Sequence, residues 1–304
     1  MAIAGLTLGT ANGIAAANDG AAVPGVPVSI LVTVENKKTG TEALSKADFR
    51  VQEHKEDRLI SDVKRMDSGR LQMLLLIDDS AGGAFDTQIQ DLKKFIVALP
   101  ATTEIGIGYM RNGYSQMVSE FTNDHEKAAN AIRLPLGAGG ADVSPYDSLS
   151  DAVKKWPSKD ANTRREVIMI SSGSEELGGG LPPDNPYVNA GIRDAQKAGV
   201  VVYAIYNPGG GHAGHSFWRS SRGQNLLSQL ADETGGELYA VGFGPAVSFE
   251  PFLNDILKRQ QEQYVVSFEA SAEKKAGLQQ VKISATEKGT SVAAPDKVFV
   301  KASM

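Results

Sequence analysis

Residues 71 to 85 read LQMLLLIDDSAGGAF. The apolar run up to Ile77 is continuous rather than alternating, which is the pattern of a strand covered on both faces. It stops abruptly at Asp78, Asp79 and Ser80, followed by Gly82 and Gly83, so a buried strand delivers two carboxylates and a hydroxyl to a loop. Beyond it, Ile89, Leu92, Ile96 and Leu99 recur at helical spacing before Pro100. Strands are predicted at 104–110 and 115–121 around Asn112 and Gly113, and Asn123 or Asp124 caps a short helix to Leu134. Tyr146, Leu149, Val153 and Trp156 form another apolar stripe, and EVIMIS (166–171) and GVVVYAIY (199–206) are further buried strands. Helices are expected at 187–198, 226–234 and 249–261, with a short strand in GGELYAV. Strands alternating with helices predict a doubly wound, mostly parallel α/β sheet.

Both flanks follow a different rule. VPVSILVTVEN (26–36), DFRVQEH (48–54) and RLISDVKRM (58–66) alternate with period two, and so do EQYVVSFEA (262–270), LQQVKISATE (278–287) and DKVFVKA (296–302). Neither flank alone has enough strands for a stable sandwich, whereas together they have about six. The expectation is a discontinuous antiparallel β-sandwich domain, residues 25–69 and 262–304, with an α/β domain, residues 70–261, inserted in it. Residues 1–24 form a leader outside the fold.

At 304 residues the chain has room for a substantial core, and the 41% hydrophobic and 22% charged content is that of a globular protein. The net charge of -5, without long runs of either sign, argues against nucleic acid and anionic membrane as partners. No window reaches the length of a membrane-spanning helix. Absence of cysteine removes disulfides, zinc-thiolate sites and thiol nucleophiles and leaves the redox compartment open. The leader is moderately apolar, uncharged before Asp19, and carries Ala15, Ala16 and Ala17 like a cleavage site, but lacks a basic n-region. It fits either the tail of an export signal that starts upstream or a flexible Ala/Gly-rich leader.

Three loops are expected to meet beyond the carboxyl ends of the parallel strands, where such sheets bind ligands: 78–83, 137–144 and 171–180. Here LLLIDDSAGG, GGADVSPYDSLSDAV and VIMISSGSEE, with AGVVVYAIY and LLSQLADETGGELYAV after them, resemble a von Willebrand factor type A (VWA) domain. Over roughly 26–302 the chain is similar to the VWA-related family described from Acidobacteria. The resemblance implies an exported recognition or adhesion protein and a metal-ion-dependent adhesion site, in which Asp, Ser and Thr oxygens of the three loops hold Mg²⁺ or another divalent cation. Asp78 and Ser80 match that pattern. Gly82 stands in place of the second Ser, Val143 in place of the Thr, and Ser172 in place of the third-loop Asp. Asp142 and Asp79 are the substitute carboxylates nearby. The site is therefore expected to be degenerate, with Asp78, Ser80 and Asp142 as candidate metal ligands and no cofactor firmly required.

A serine hydrolase is the rival reading, since Ser80, Ser171, Ser172 and Ser174 lie at strand ends and His212 and His215 in a Gly-rich loop. No G-x-S-x-G elbow supports it, and the H-x-x-H lacks a third metal ligand at recognisable spacing. Neither glycine cluster, 178–180 or 209–211, is followed by the G-K-[S/T] of a phosphate-binding loop. The leading expectation is a non-enzymatic protein that binds a protein or other macromolecular partner at the sheet edge. Asp79, Ser172 and, in a long loop at 208–223, Phe217, Trp218, Arg219 and Arg222 are the candidate contacts, aromatic and Arg types being enriched at binding hot spots.

Overall fold

A computed structural model describes residues 25–35, 43–66, 69–81, 85–137, 144–158, 160, 163–174, 185–208 and 217–302. The strands are β1 (Val26–Glu35), β2 (Phe49–Glu53), β3 (Glu56–Arg58), β4 (Ile60–Arg65), β5 (Leu71–Asp78), β6 (Thr103–Arg111), β7 (Tyr114–Thr122), β8 (Arg164–Ser171), β9 (Val200–Tyr206), β10 (Leu238–Tyr239), β11 (Gln263–Ala270), β12 (Gly277–Ala285), β13 (Ser291–Ala293) and β14 (Lys297–Val300). The helices are α1 (Phe85–Val97), α2 (His125–Ala131), α3 (Pro145–Lys154), α4 (Pro186–Ala198), α5 (Phe217–Thr234) and α6 (Glu250–Gln261).

The central sheet runs β10-β9-β8-β5-β6-β7, parallel except for the β6–β7 hairpin. That hairpin turns at Asn112 and Gly113, both at positive φ, as a tight hairpin turn requires. The continuous apolar run of β5 has a two-sided explanation. Leu71, Met73, Leu75 and Ile77 enter one core with α1, α2 and α6, while Leu74 and Leu76 enter a second with α3, α4 and α5. The chain leaves β5 for β6 on one side and later returns to β8 on the other, so the carboxyl ends of β5 and β8 flank the point where the winding reverses.

The flanking strands form two four-stranded sheets, β13-β1-β11-β4 and β14-β12-β2-β3, and each joins strands from both ends of the chain. Their pairings are antiparallel, and their inward side chains share one core that includes Val32, Val51, Tyr264, Val266, Phe268 and Val281. Eight strands stand where about six were expected, because β3 and β13 are three residues long, too short to show a period.

A buried polar seam joins these sheets to the α/β unit. Glu166 on β8 has no exposed surface and accepts from Gln260 Nε2 (2.6 Å) and Gln263 Nε2 (2.8 Å), and Arg164 donates to Gln263 Oε1 (2.7 Å). Burial pushes the Glu166 carboxyl up, against the pull of Arg164 and the two amides. Beside it Arg259 at the end of α6 pairs with Glu35 of β1, Glu237 and Asp255. Replacing Gln263 with Ala strips one Glu166 oxygen of its donor and Arg164 of an acceptor. The variant is expected to lose about 2 kcal/mol of stability in urea unfolding; an unchanged midpoint would refute a structural role for the seam.

Candidate functional site

The two carboxylates that end β5 face different surroundings. Asp78 is half-buried at the winding reversal and accepts on both oxygens: Ser80 N (2.9 Å) and Oγ (2.6 Å) on Oδ1, and Ser171 Oγ (2.8 Å) on Oδ2. The Ser80 bonds close a tight local turn, and the Ser171 bond ties the end of β5 to the end of β8. Ser171 in turn accepts from Gly173 N (3.1 Å), and Ser172 Oγ accepts from Ser174 N (3.2 Å), so the third loop is shaped by hydroxyls.

Asp79, expected among the partner contacts, is instead buried without exposed surface. Arg133 grips it with two nitrogens, Nη1 to Oδ1 (2.7 Å) and Nη2 to Oδ2 (3.2 Å), Arg111 Nη1 reaches Oδ2 (3.2 Å), and Leu136 N donates to Oδ1 (2.9 Å). Gly137 N adds a bond to its backbone oxygen (3.1 Å). Burial alone would raise the carboxyl; Arg133, Leu136 and Arg111 together hold it below the usual carboxylate range. Arg133 also lies 3.8 Å over the ring of Tyr109, whose hydroxyl accepts from Arg133 N (2.9 Å). Asp79 thus fastens the segment after α2 to the ends of β5 and β6.

Among the described residues the donor set does not fit a divalent cation. The Asp78 oxygens are both engaged by serines, the Asp79 charge is matched by two guanidinium groups at the same edge, and a hard cation needs several negative oxygen ligands. Among the described residues no three His, Cys, Asp or Glu side chains gather around a point. Gly82, Asp142 and Val143 lie outside the described residues, as do His212, His215 and the glycine clusters at 178–180 and 209–211. Among the described residues no histidine bonds a strand-end serine; His125 bonds Thr103 O instead (2.8 Å).

Phe217, Trp218, Arg219 and Arg222 lie on the first turns of α5, not in a loop. The apolar stripe that marks the helix in sequence starts only at Leu226, because on the earlier turns the inward positions are Ser220 and Gly223. Gly223 is there for close approach: a Cβ on it would sit 2.1 Å from the Ser172 carbonyl oxygen. All four named side chains are exposed. Arg111 and Arg133 were not singled out by sequence, since neither carried a motif, and Ser171 was named only as a strand-end serine, not as the partner of Asp78.

No family model matches this chain, and no curated protein does. Among solved structures it is similar to an aerotolerance-related membrane protein from Bacteroides fragilis NCTC 9343 bearing multiple mutations to serine. That likeness has 13% identity and a TM-score of 0.45 over 62% of this chain and 98% of that one. BatB from Bacteroides thetaiotaomicron gives 12% and 0.44 over 62% and 96%, and the ArnB paralog VWA2 from Sulfolobus acidocaldarius 9% and 0.39 over 93% and 73%. VWA domains are thus among the structures it resembles.

Three measurements probe this edge. Asp79→Ala leaves two guanidinium groups without their carboxylate and is expected to lose about 3 kcal/mol. Because the folded carboxyl lies below its unfolded value of about 3.9, the stability it contributes is present above that pH and lost as pH falls through the folded value. The drop in melting temperature below about pH 4 should therefore be shallower in Asp79→Ala than in the parent. Millimolar Mg²⁺ or Mn²⁺ should leave the melting temperature unchanged. A rise of about 2 °C or more that Asp78→Ala abolishes would assign an ion to this edge.

Proposed function

We propose that this chain is a non-enzymatic, exported, VWA-like recognition protein that binds a macromolecular partner at the carboxyl edge of its α/β sheet without help from a divalent cation. One observation carries the reading. Exposed large apolar side chains concentrate at that edge: Leu134 and Leu136 beside the Asp79 clamp, Phe217 and Trp218 on α5, and Val241, Phe243 and Val247 in the loop after β10. Elsewhere among the described residues such side chains are fewer: Leu59, Val97, and Tyr114 with Val118 on β7. Exposed apolar surface of this kind, in which Phe217, Trp218 and Phe243 pack together, is a mark of interaction sites.

The same clamp supports a scaffold role rather than catalysis. Hydroxyls of Ser80 and Ser171 are spent on Asp78, a carboxylate that accepts both, which leaves neither placed as an activated nucleophile. In this reading the two flanking sheets form one discontinuous sandwich, residues 25–69 and 262–304, that carries the α/β unit of residues 70–261 and presents its far edge to the partner.

A photo-crosslinking amino acid at Leu136 or Ser174, on the recognition edge, should capture a partner from an extract of the cells that make the protein, and excess unlabelled protein should compete. At Val97, at the opposite end of α1, it should not. Equal capture at all three positions, or none, would count against the edge as the binding surface.

A further inference from the structure

Resting on that reading, we infer that the partner contact centres on the start of α5 and the loop 240–248, and that it takes an acidic protein segment bearing an apolar anchor side chain. The two pieces of chain are fixed to each other. Phe217 packs edge-on against Phe243 with ring centroids 5.0 Å apart and against Trp218 at 5.7 Å, and Gln224 Nε2 donates to Gly242 O (2.5 Å). The surface they build is wide open: Trp218 is 81% exposed and Val247 89%. Aromatic side chains held in place before binding lose little conformational freedom when a partner covers them.

Charge decides which partner. Arg219 and Arg222 are exposed on the same helix as Trp218, with Arg222 one turn beyond it, and neither has an ion-pair partner among the described residues. The contrast with Arg50, Arg58, Arg111, Arg133 and Arg259, each held by a carboxylate, is plain. Arg219 lies in the first turn of an 18-residue helix that has no acidic residue there, where the helix dipole disfavours a cation. A local choice that works against the fold is expected where binding needs it. Two guanidinium groups without an ion-pair partner among the described residues, on the helix that carries exposed aromatic rings, suit carboxylates flanking an apolar residue, since Arg binds carboxylate with two parallel bonds. An anionic bilayer is the weaker match, because two arginines fall short of the cluster of roughly four to eight basic residues that such a surface takes.

The test uses fluorescein-labelled synthetic peptides of about twelve residues, alternating Asp or Glu with Leu, Phe or Trp, read by anisotropy against the full chain. The acidic pool is expected to bind saturably and more weakly as salt rises, with affinity reduced at least about tenfold by Trp218→Ala and by Arg219→Glu with Arg222→Glu. Arg193→Glu, an exposed change on α4, should leave it unchanged. Equal binding of a pool with Lys in place of the acids, binding indifferent to the α5 variants, or no saturation by about 1 mM overturns the proposal. Binding to phosphatidylglycerol vesicles lost in Trp218→Ala, without peptide binding, replaces the protein segment with a membrane. In each of these cases, edge-specific cross-linking at Leu136 or Ser174 still upholds recognition at this edge, and only its loss as well removes both readings.

Discussion

The edge of this molecule depends on a carboxylate that never meets solvent. Asp79 directly follows the buried strand β5, and a lone ionised carboxylate there would be prohibitively unfavourable without compensation. Arg133 and Arg111 compensate it, and in doing so they settle three matters together. The bidentate grip of Arg133 fixes the segment after α2, the Arg111 bond fixes the end of β6, and the turn of Asp79 inward leaves Asp78 as the carboxylate that faces the winding reversal. The charge at the centre of the edge is consumed internally, so what the edge offers outward is apolar surface with arginines at one side.

Much of the fold could be read from chain periodicity, and the reason is visible in β5. A strand whose odd residues enter one core and even residues another has to be apolar throughout, and that run announces a sheet covered on both faces. The alternating flanks are as readable, since Val32, Val51, Val266 and Val281 turn toward a shared core while their neighbours turn to the opposite face of the strand. What escaped was either short or non-local. The strands β3 and β13 have three residues each, and the first two turns of α5 bury a serine and a glycine where a stripe of leucines would have marked them.

The candidate site was legible in place but not in role. Asp78, Asp79 and Ser80 were correctly located at a strand end, yet adjacent residues there point to opposite sides, and nothing in DDS says which one turns inward. The answer lies with Arg111 and Arg133, 32 and 54 residues further along. The hydroxyl of Ser171, 93 residues from Asp78, is similar: only the parallel pairing of β5 with β8 brings the two strand ends together. Long-range pairing of polar groups leaves no period in a sequence, whereas burial of apolar ones does.

The interleaving of the two flanking sheets also governs the order in which the molecule is made. Ser29 on β1 bonds Ser267 on β11, 238 positions further along, and β2 pairs with β12 over a similar span. As the ribosome delivers the chain, β1 to β4 emerge with apolar faces and open edges, and the whole α/β unit is synthesised before β11 arrives to cover them. Unpaired strand edges of this sort are sites of aggregation in nascent chains. The strands β1, β2 and β4 are thus synthesised long before β11 and β12, the strands that pair with them.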